Sequence, residues 1–156
     1  MIASPTLAQS PTQPTVTPHL TSLPTREVGS FIGVWNLHGN GGFYGVRFAV
    51  EKKKWLAWEA ALDGGRPGST GSRYAMVHGD IRLETPSTAP TPKLFVVAGL
   101  AGAGGLSFGT SPMLGVGLQT AWKSGYAFRV EVQRFPQGHG GRDSGRLLGS
   151  VMFPLD

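Results

Sequence analysis

From Glu27 onward, apolar and polar residues alternate with a period of two, the spacing of β-strands whose two faces meet different surroundings. The clearest case is "GLQTAWKSGYAFRVEVQRF", from Gly117 to Phe135. Before a Lys-Ser-Gly turn, Leu118, Thr120 and Trp122 share one side, and Gly117, Gln119 and Ala121 share the other. After it, Tyr126, Phe128, Val130 and Val132 share one side, while Arg129, Glu131 and Gln133 share the other. The same reading along the chain predicts eight strands, roughly 28–37, 43–50, 55–62, 73–84, 93–102, 113–122, 126–135 and 146–153.

The connections alternate in kind. "EKKK" (51–54) and "KSG" (123–125) are tight, and "TPSTAPTP" (85–92) is held by prolines. The links after the first, third, fifth and seventh strands are Gly-rich: "HGNGG", "DGGRPGSTGS", "AGGLSFGTSP" and "PQGHGGRDSG". Alternating connections are those of an up-and-down meander whose two ends face different surroundings. An even number of strands returns both termini to one side, and eight can close and leave no free edge.

One face of these strands is polar. It carries Arg47, Glu59, His78, Asp80, Arg82, Gln119, Arg129, Glu131 and Gln133, with small residues such as Gly45, Ala57, Ala61, Gly115 and Gly117 between them. The opposite face is oily, with Tyr44, Val46, Phe48, Trp58, Leu62, Val77, Ile81, Leu114, Val116, Leu118, Phe128, Val130 and Val132. A soluble barrel would turn the oily face inward around a ligand, and a membrane barrel would turn it outward against lipid. Alternation suits both. Three charges of each sign, placed mid-strand among small residues, favour a narrow polar lumen over a wet surface, where Gly and Ala are poor strand formers. Trp55, Trp122 and Tyr126 stand beside the tight turns, where an interfacial aromatic girdle belongs. The expected architecture is all-β: an eight-stranded antiparallel up-and-down transmembrane β-barrel over residues 27–156. The main alternative is a soluble or periplasmic lipocalin-like barrel binding an apolar ligand.

Composition agrees with this picture. The chain has 156 residues, enough for one domain, with 24 Gly, 12 Pro and few charges. There is no cysteine, which excludes disulfides and cysteine metal sites. No apolar run is long enough for a membrane helix, but a membrane strand needs far fewer residues. Residues 1–26 are rich in Pro, Thr and Ser without periodicity and are expected to be disordered. Their "SPTLAQ" is similar to the end of a secretory signal cut after Ala8, which suggests a signal-peptide remnant.

The stretch from about Gly29 to Phe153 resembles the small eight-stranded outer-membrane β-barrel family of Gram-negative bacteria, the OmpA/OmpX-like porin-family proteins. "GGFYGVRFAVEKKKWLAWEAAL" is similar to that family's second and third strands, "KLFVVAGLAGAGG" to its fifth and "YAFRVEVQRF" to its penultimate one. The resemblance implies a monomer in the bacterial outer membrane, in contact with outer-membrane lipid and lipopolysaccharide and recognised by the barrel insertion machinery. That family usually ends on an aromatic residue, whereas Phe153 here is followed by "PLD".

Chemical motifs are weak. "GLSFG" (Gly105–Gly109) has the spacing of a hydrolase elbow but no following helix, and His139 precedes Asp143. "HGGRDSG" brings His139, Asp143 and Ser144 close together, which keeps a lipid-modifying enzyme as a further alternative. His78 and Asp80 would make half a metal site and fit a lumen network better. "AGLAGAGG" lacks dinucleotide-loop spacing, and "EKKK" has no stacking platform for nucleic acid. No cofactor, catalytic residue or nucleic-acid partner is expected. Arg66, Arg73, Arg134, Arg142 and Arg146, in and near the longer loops, are the candidates for pairing with lipopolysaccharide phosphates. An eight-stranded interior is just wide enough for side chains, so the six mid-strand charges should neutralise one another and close the lumen.

Overall fold

A computed structural model of the protein describes residues 26–35, 41–66, 73–86, 92–104, 109–122, 125–138 and 142–155. The strands are β1 (Arg26–Trp35), β2 (Gly41–Lys53), β3 (Leu56–Gly65), β4 (Tyr74–Glu84), β5 (Lys93–Gly104), β6 (Gly109–Ala121), β7 (Ala127–Gly138) and β8 (Arg142–Pro154). Each pairs antiparallel with its sequence neighbours, and β1 pairs with β8 to close the barrel. Closure satisfies the backbone donors and acceptors that an open edge would strand in hydrocarbon. Residues 1–25 lie outside the described residues, so the expected disorder and the signal-like cut after Ala8 lie there too.

The strands outrun the alternating hydrophobic pattern. β6 starts at Gly109 and takes in Thr110–Pro112, and β8 starts at Arg142 inside a stretch read as loop. Ladder pairing is a backbone property, so a barrel wall continues where side chains no longer alternate in polarity. The "EKKK" turn also moves. β2 runs on through Lys53 with an irregularity between Glu51 and Lys53, and the reversal falls on Lys54–Trp55. The second tight turn holds Gly125 at φ 84, in the left-handed region that glycine adopts without a steric cost. There the Trp122 amide donates to the Tyr126 carbonyl at 2.7 Å.

The faces sort cleanly. Phe128, Val130 and Val132 are 44%, 57% and 52% exposed, while Arg129, Glu131 and Gln133 between them are at most 1% exposed. Tyr44, Val46, Trp58, Leu62, Val77, Leu100, Leu114 and Leu118 are likewise exposed, forming an apolar belt around the outside. The soluble lipocalin-like alternative needs these residues inward and is overturned by this orientation. Seven acidic residues, Glu27, Glu51, Glu59, Asp63, Asp80, Glu84 and Glu131, occupy inward-facing positions.

The sides of the lumen need room as well as polarity. Gly117 lies beneath the Phe95 ring, and a Cβ there would collide with that ring and with the Val130 carbonyl. Gly33 gives the same clearance to the ring of Phe43.

Candidate functional site

The interior is filled from end to end by a column of paired charges. Towards the tight-turn end, Glu59 on β3 is the hub. Its Oε1 accepts from Arg82 Nη1 at 2.5 Å and from Arg129 Nη1 at 2.6 Å, while Oε2 lies 3.6 Å from Arg47 Nη1. Arg47 also donates to Glu131 Oε2 at 3.0 Å, and Arg129 Nη2 reaches the same oxygen at 2.7 Å. Two carboxylates thus face three guanidiniums across strands β2, β3, β4 and β7. The third arginine is balanced nearer the mouth, where Arg82 Nε is 2.7 Å from Glu84 Oε1 and Nη2 is 3.4 Å from Glu27 Oε2. Lys93 closes this rim at 3.3 Å from Glu84. Charges this deeply buried persist only when paired and hydrogen-bonded.

A second cluster lies nearer the long-loop end, around Arg146. This side chain donates from Nε to Gln133 Oε1 at 2.5 Å and from Nη1 to Asp63 Oδ2 at 2.7 Å, and its Nη2 is 3.1 Å from His78 Nε2. The other ring nitrogen of His78, Nδ1, is 3.1 Å from Asp80 Oδ2. Gln133 joins the two clusters, because its Nε2 donates to Glu131 Oε1 at 2.5 Å. The four arginines Arg47, Arg82, Arg129 and Arg146 match the four acids Glu59, Asp63, Asp80 and Glu131 among the buried side chains.

Aromatic rings complete the packing. The guanidinium of Arg129 sits 4.0 Å from the Phe95 ring centroid, and that of Arg47 sits 5.3 Å from Phe31. Arg146 is ringed by Trp35, Phe43 and Phe135 at 5.5, 4.9 and 5.0 Å. Above it Trp35 Nε1 donates to the Tyr74 hydroxyl at 2.6 Å, and Met76, Ala101, Met113 and Phe135 form an apolar cluster against these two rings. The rings face cations with their electron-rich π surfaces, so they fill the core without excluding the charges.

All nine residues read as lumen-facing are buried in this interior. Eight share the hydrogen-bonded network, and Asp80 joins it through His78 rather than through an arginine. Gln119 stands apart, its Oε1 lacking a hydrogen-bond partner among the described residues. Among those residues no group of His, Cys, Asp and Glu could hold a metal.

Arg146 corrects the sequence reading. It was expected at the outer rim, yet it is 1% exposed inside the lumen, because β8 begins earlier than the apolar pattern suggests and carries it inward. Asp63, in the Gly-rich stretch after the third apolar segment, likewise lies inside the lumen on β3. Both continue a period-two series, Ala57-Glu59-Ala61-Asp63 and Arg146-Leu148-Ser150-Met152, and that phase was the signal available. The inward aromatics Trp35, Phe43, Phe95 and Phe135 had no such signal, since apolar residues on a polar face look like breaks in the pattern.

The remaining candidates lie at the rims. Trp55, Trp122 and Tyr126 are exposed at the tight-turn end. Trp122 packs on Phe128 with centroids 5.9 Å apart, and Tyr126 packs on Phe153 at 5.2 Å. Arg134 projects outward from β7, and Arg66 and Arg73 flank the β3–β4 link at the opposite end. Arg142 opens β8. Of the serine, histidine and aspartate in "HGGRDSG", His139 lies outside the described residues, and Ser144 pairs with Phe135 in the β7–β8 ladder. "GLSFG" lies outside them except for Gly109.

A closed eight-stranded barrel has solved counterparts. The N-terminal β-barrel domain of Pseudomonas aeruginosa OprF matches with a TM-score of 0.62 at 13% identity, over 83% of this chain and 98% of that one. The fold is that of the small bacterial outer-membrane β-barrels. Neisserial surface protein A (NspA) matches with a TM-score of 0.60 at 16% identity, over 83% of this chain and 96% of that one. The outer-membrane enzyme PagL matches with a TM-score of 0.60 at 15% identity, over 83% and 99%. No protein-family model matches the sequence, and no curated protein is similar to it.

Proposed function

We propose that this barrel is a monomeric bacterial outer-membrane protein with a closed lumen and a structural or surface-contact role. The observation that carries the reading is the continuous column from Glu84 and Arg82 through Glu59, Arg129 and Glu131 to Gln133 and Arg146, which occupies the axis with paired side chains. An eight-stranded wall leaves no further width for solutes once such a column is in place. The tight turns, the start of β1 and the end of β8 face the periplasm, and the longer links face outward, where Arg66, Arg73, Arg134 and Arg142 are the groups to meet lipopolysaccharide phosphates. β8, with Leu147, Val151 and Phe153 on its lipid side, is the strand for the insertion machinery to engage.

Purified protein should fold into lipid vesicles, migrate faster on gels before boiling than after, and show no stable large conductance in planar bilayers. A reproducible open channel of nanosiemens size would overturn the closed lumen.

The likeness to the outer-membrane enzyme PagL supports a second reading, the lipid-modifying enzyme that the sequence offers as an alternative, whose candidate residues are His139 and Ser144. Cells producing the protein should then alter their lipid A, and His139→Ala and Ser144→Ala should abolish the change in its mass spectrum. Unaltered lipid A with the native protein removes this reading.

A further inference from the structure

The acids whose side chains are described all face into the barrel, whereas four cations at the tight-turn rim face out. Arg26 and Lys52 occupy outward positions on the neighbouring strands β1 and β2, and Lys53 and Lys54 follow at the reversal. All four are exposed, and none forms an ion pair among the described residues. Among the described residues the nearby acids are turned away from them: Glu27 and Glu84 face inward onto Arg82 and Lys93, and Glu51 also occupies an inward position. Lys53 Nζ lies 5.3 Å from the ring of Trp55, which is itself exposed at this level. Farther along the outer wall lie Phe48, Trp58 and Leu83, all apolar and exposed.

We propose that this corner of β1, β2 and the β2–β3 turn binds the headgroup of an anionic glycerophospholipid in the periplasmic leaflet. The Arg26, Lys52, Lys53 and Lys54 side chains meet the phosphodiester and the added negative charge, Trp55 sits at the glycerol level, and the acyl chains lie against Phe48 and Trp58. Basic clusters at a bilayer surface attract anionic lipid, with a gain that accumulates per Lys or Arg. Amphipathic aromatic rings prefer the same depth. A solvated tip would need none of this arrangement: its cations would be free to pair with the nearby glutamates. Here these four cations and the rim glutamates lie on opposite faces of the wall. The inference rests on the membrane-barrel reading and on the periplasmic placement of this end.

The test uses the full chain folded in detergent micelles, titrated with phosphatidylglycerol or phosphatidylcholine and followed by native mass spectrometry. The native protein should retain phosphatidylglycerol in preference to phosphatidylcholine. The quadruple variant Arg26→Gln, Lys52→Gln, Lys53→Gln, Lys54→Gln should bind phosphatidylglycerol at least about tenfold more weakly. Thr110→Ala, on the outer wall at the opposite end, should leave that binding unchanged. Equal retention of the two lipids by the native protein, or equal phosphatidylglycerol binding by the native chain and the quadruple variant, would overturn the lipid site. Gel migration of unboiled samples separates the two layers of the argument. A native chain that never gives the fast-migrating folded form in vesicles sinks the barrel reading and the site with it. A folded barrel without lipid preference sinks the site alone. Should the variant fold poorly, loss of the native protein's lipid preference between low and high salt decides the question.

Discussion

Replacing Glu59 by Gln should destabilise the barrel by about 3–5 kcal/mol, the cost of removing one partner from a buried ionic cluster. Gln keeps the volume and a carbonyl oxygen but loses the charge on which Arg47, Arg82 and Arg129 converge. Arg129 and Arg47 would then share Glu131 alone, and Arg82 would turn to Glu27 and Glu84 at the rim. In urea titrations of vesicle-folded protein, the midpoint should fall well below that of the native chain. A midpoint within error of the native one would show that the column contributes little and that the wall alone holds the barrel. Thr120→Ser, a change on the outward face of β6, serves as the reference and should move the midpoint hardly at all.

Arg146→Met should cost a similar amount, about 3–5 kcal/mol, for the same reason. The substitution leaves Asp63 buried without its cation, frees Gln133 Oε1 and removes the charge from the cage of Trp35, Phe43 and Phe135. Met fits the neighbouring rings and Met76, so volume is largely kept. The informative variant is the double one. Adding Asp63→Asn should recover much of the loss, because replacing both members of a buried pair is far less costly than orphaning one. The coupling between the two substitutions should be about 0.5–3 kcal/mol, the range for residues in direct contact. An arginine on the outer rim would behave differently: Arg146→Met would then sit within about 0.5 kcal/mol of the native protein. Additive effects of the two substitutions would contradict the Arg146–Asp63 contact.

Both predictions depend on residues that the sequence presents with unequal clarity. The alternation of Arg129, Glu131 and Gln133 with Phe128, Val130 and Val132 is local chemistry. A strand's side chains point to opposite faces whatever its neighbours do, so membership of a face is written in the order of residues. The same phase carried Glu59, His78, Asp80 and Arg82 to one side, and it would have carried Asp63 and Arg146 there had the strands been extended through Gly-rich and polar stretches. Those stretches hid the strand ends because the ladder needs only backbone groups, not a preferred side chain.

By itself, then, the sequence determined the period, the two faces, the eight strands and the presence of both signs of charge on one face. Which face looks inward, which acid meets which arginine, and why aromatic rings belong among the charges were decided only by the closed sheet. Closure sets the register of each strand against both neighbours, and that register brings Glu59 within reach of three arginines and Asp63 within reach of Arg146. A side chain's partner across a barrel lies tens of positions away in sequence, as Arg146 and Asp63 do, and no local pattern encodes that distance. The fixed strand twist and the pairing of β1 with β8 encode it instead, because only a wall that has already closed has an inside to fill.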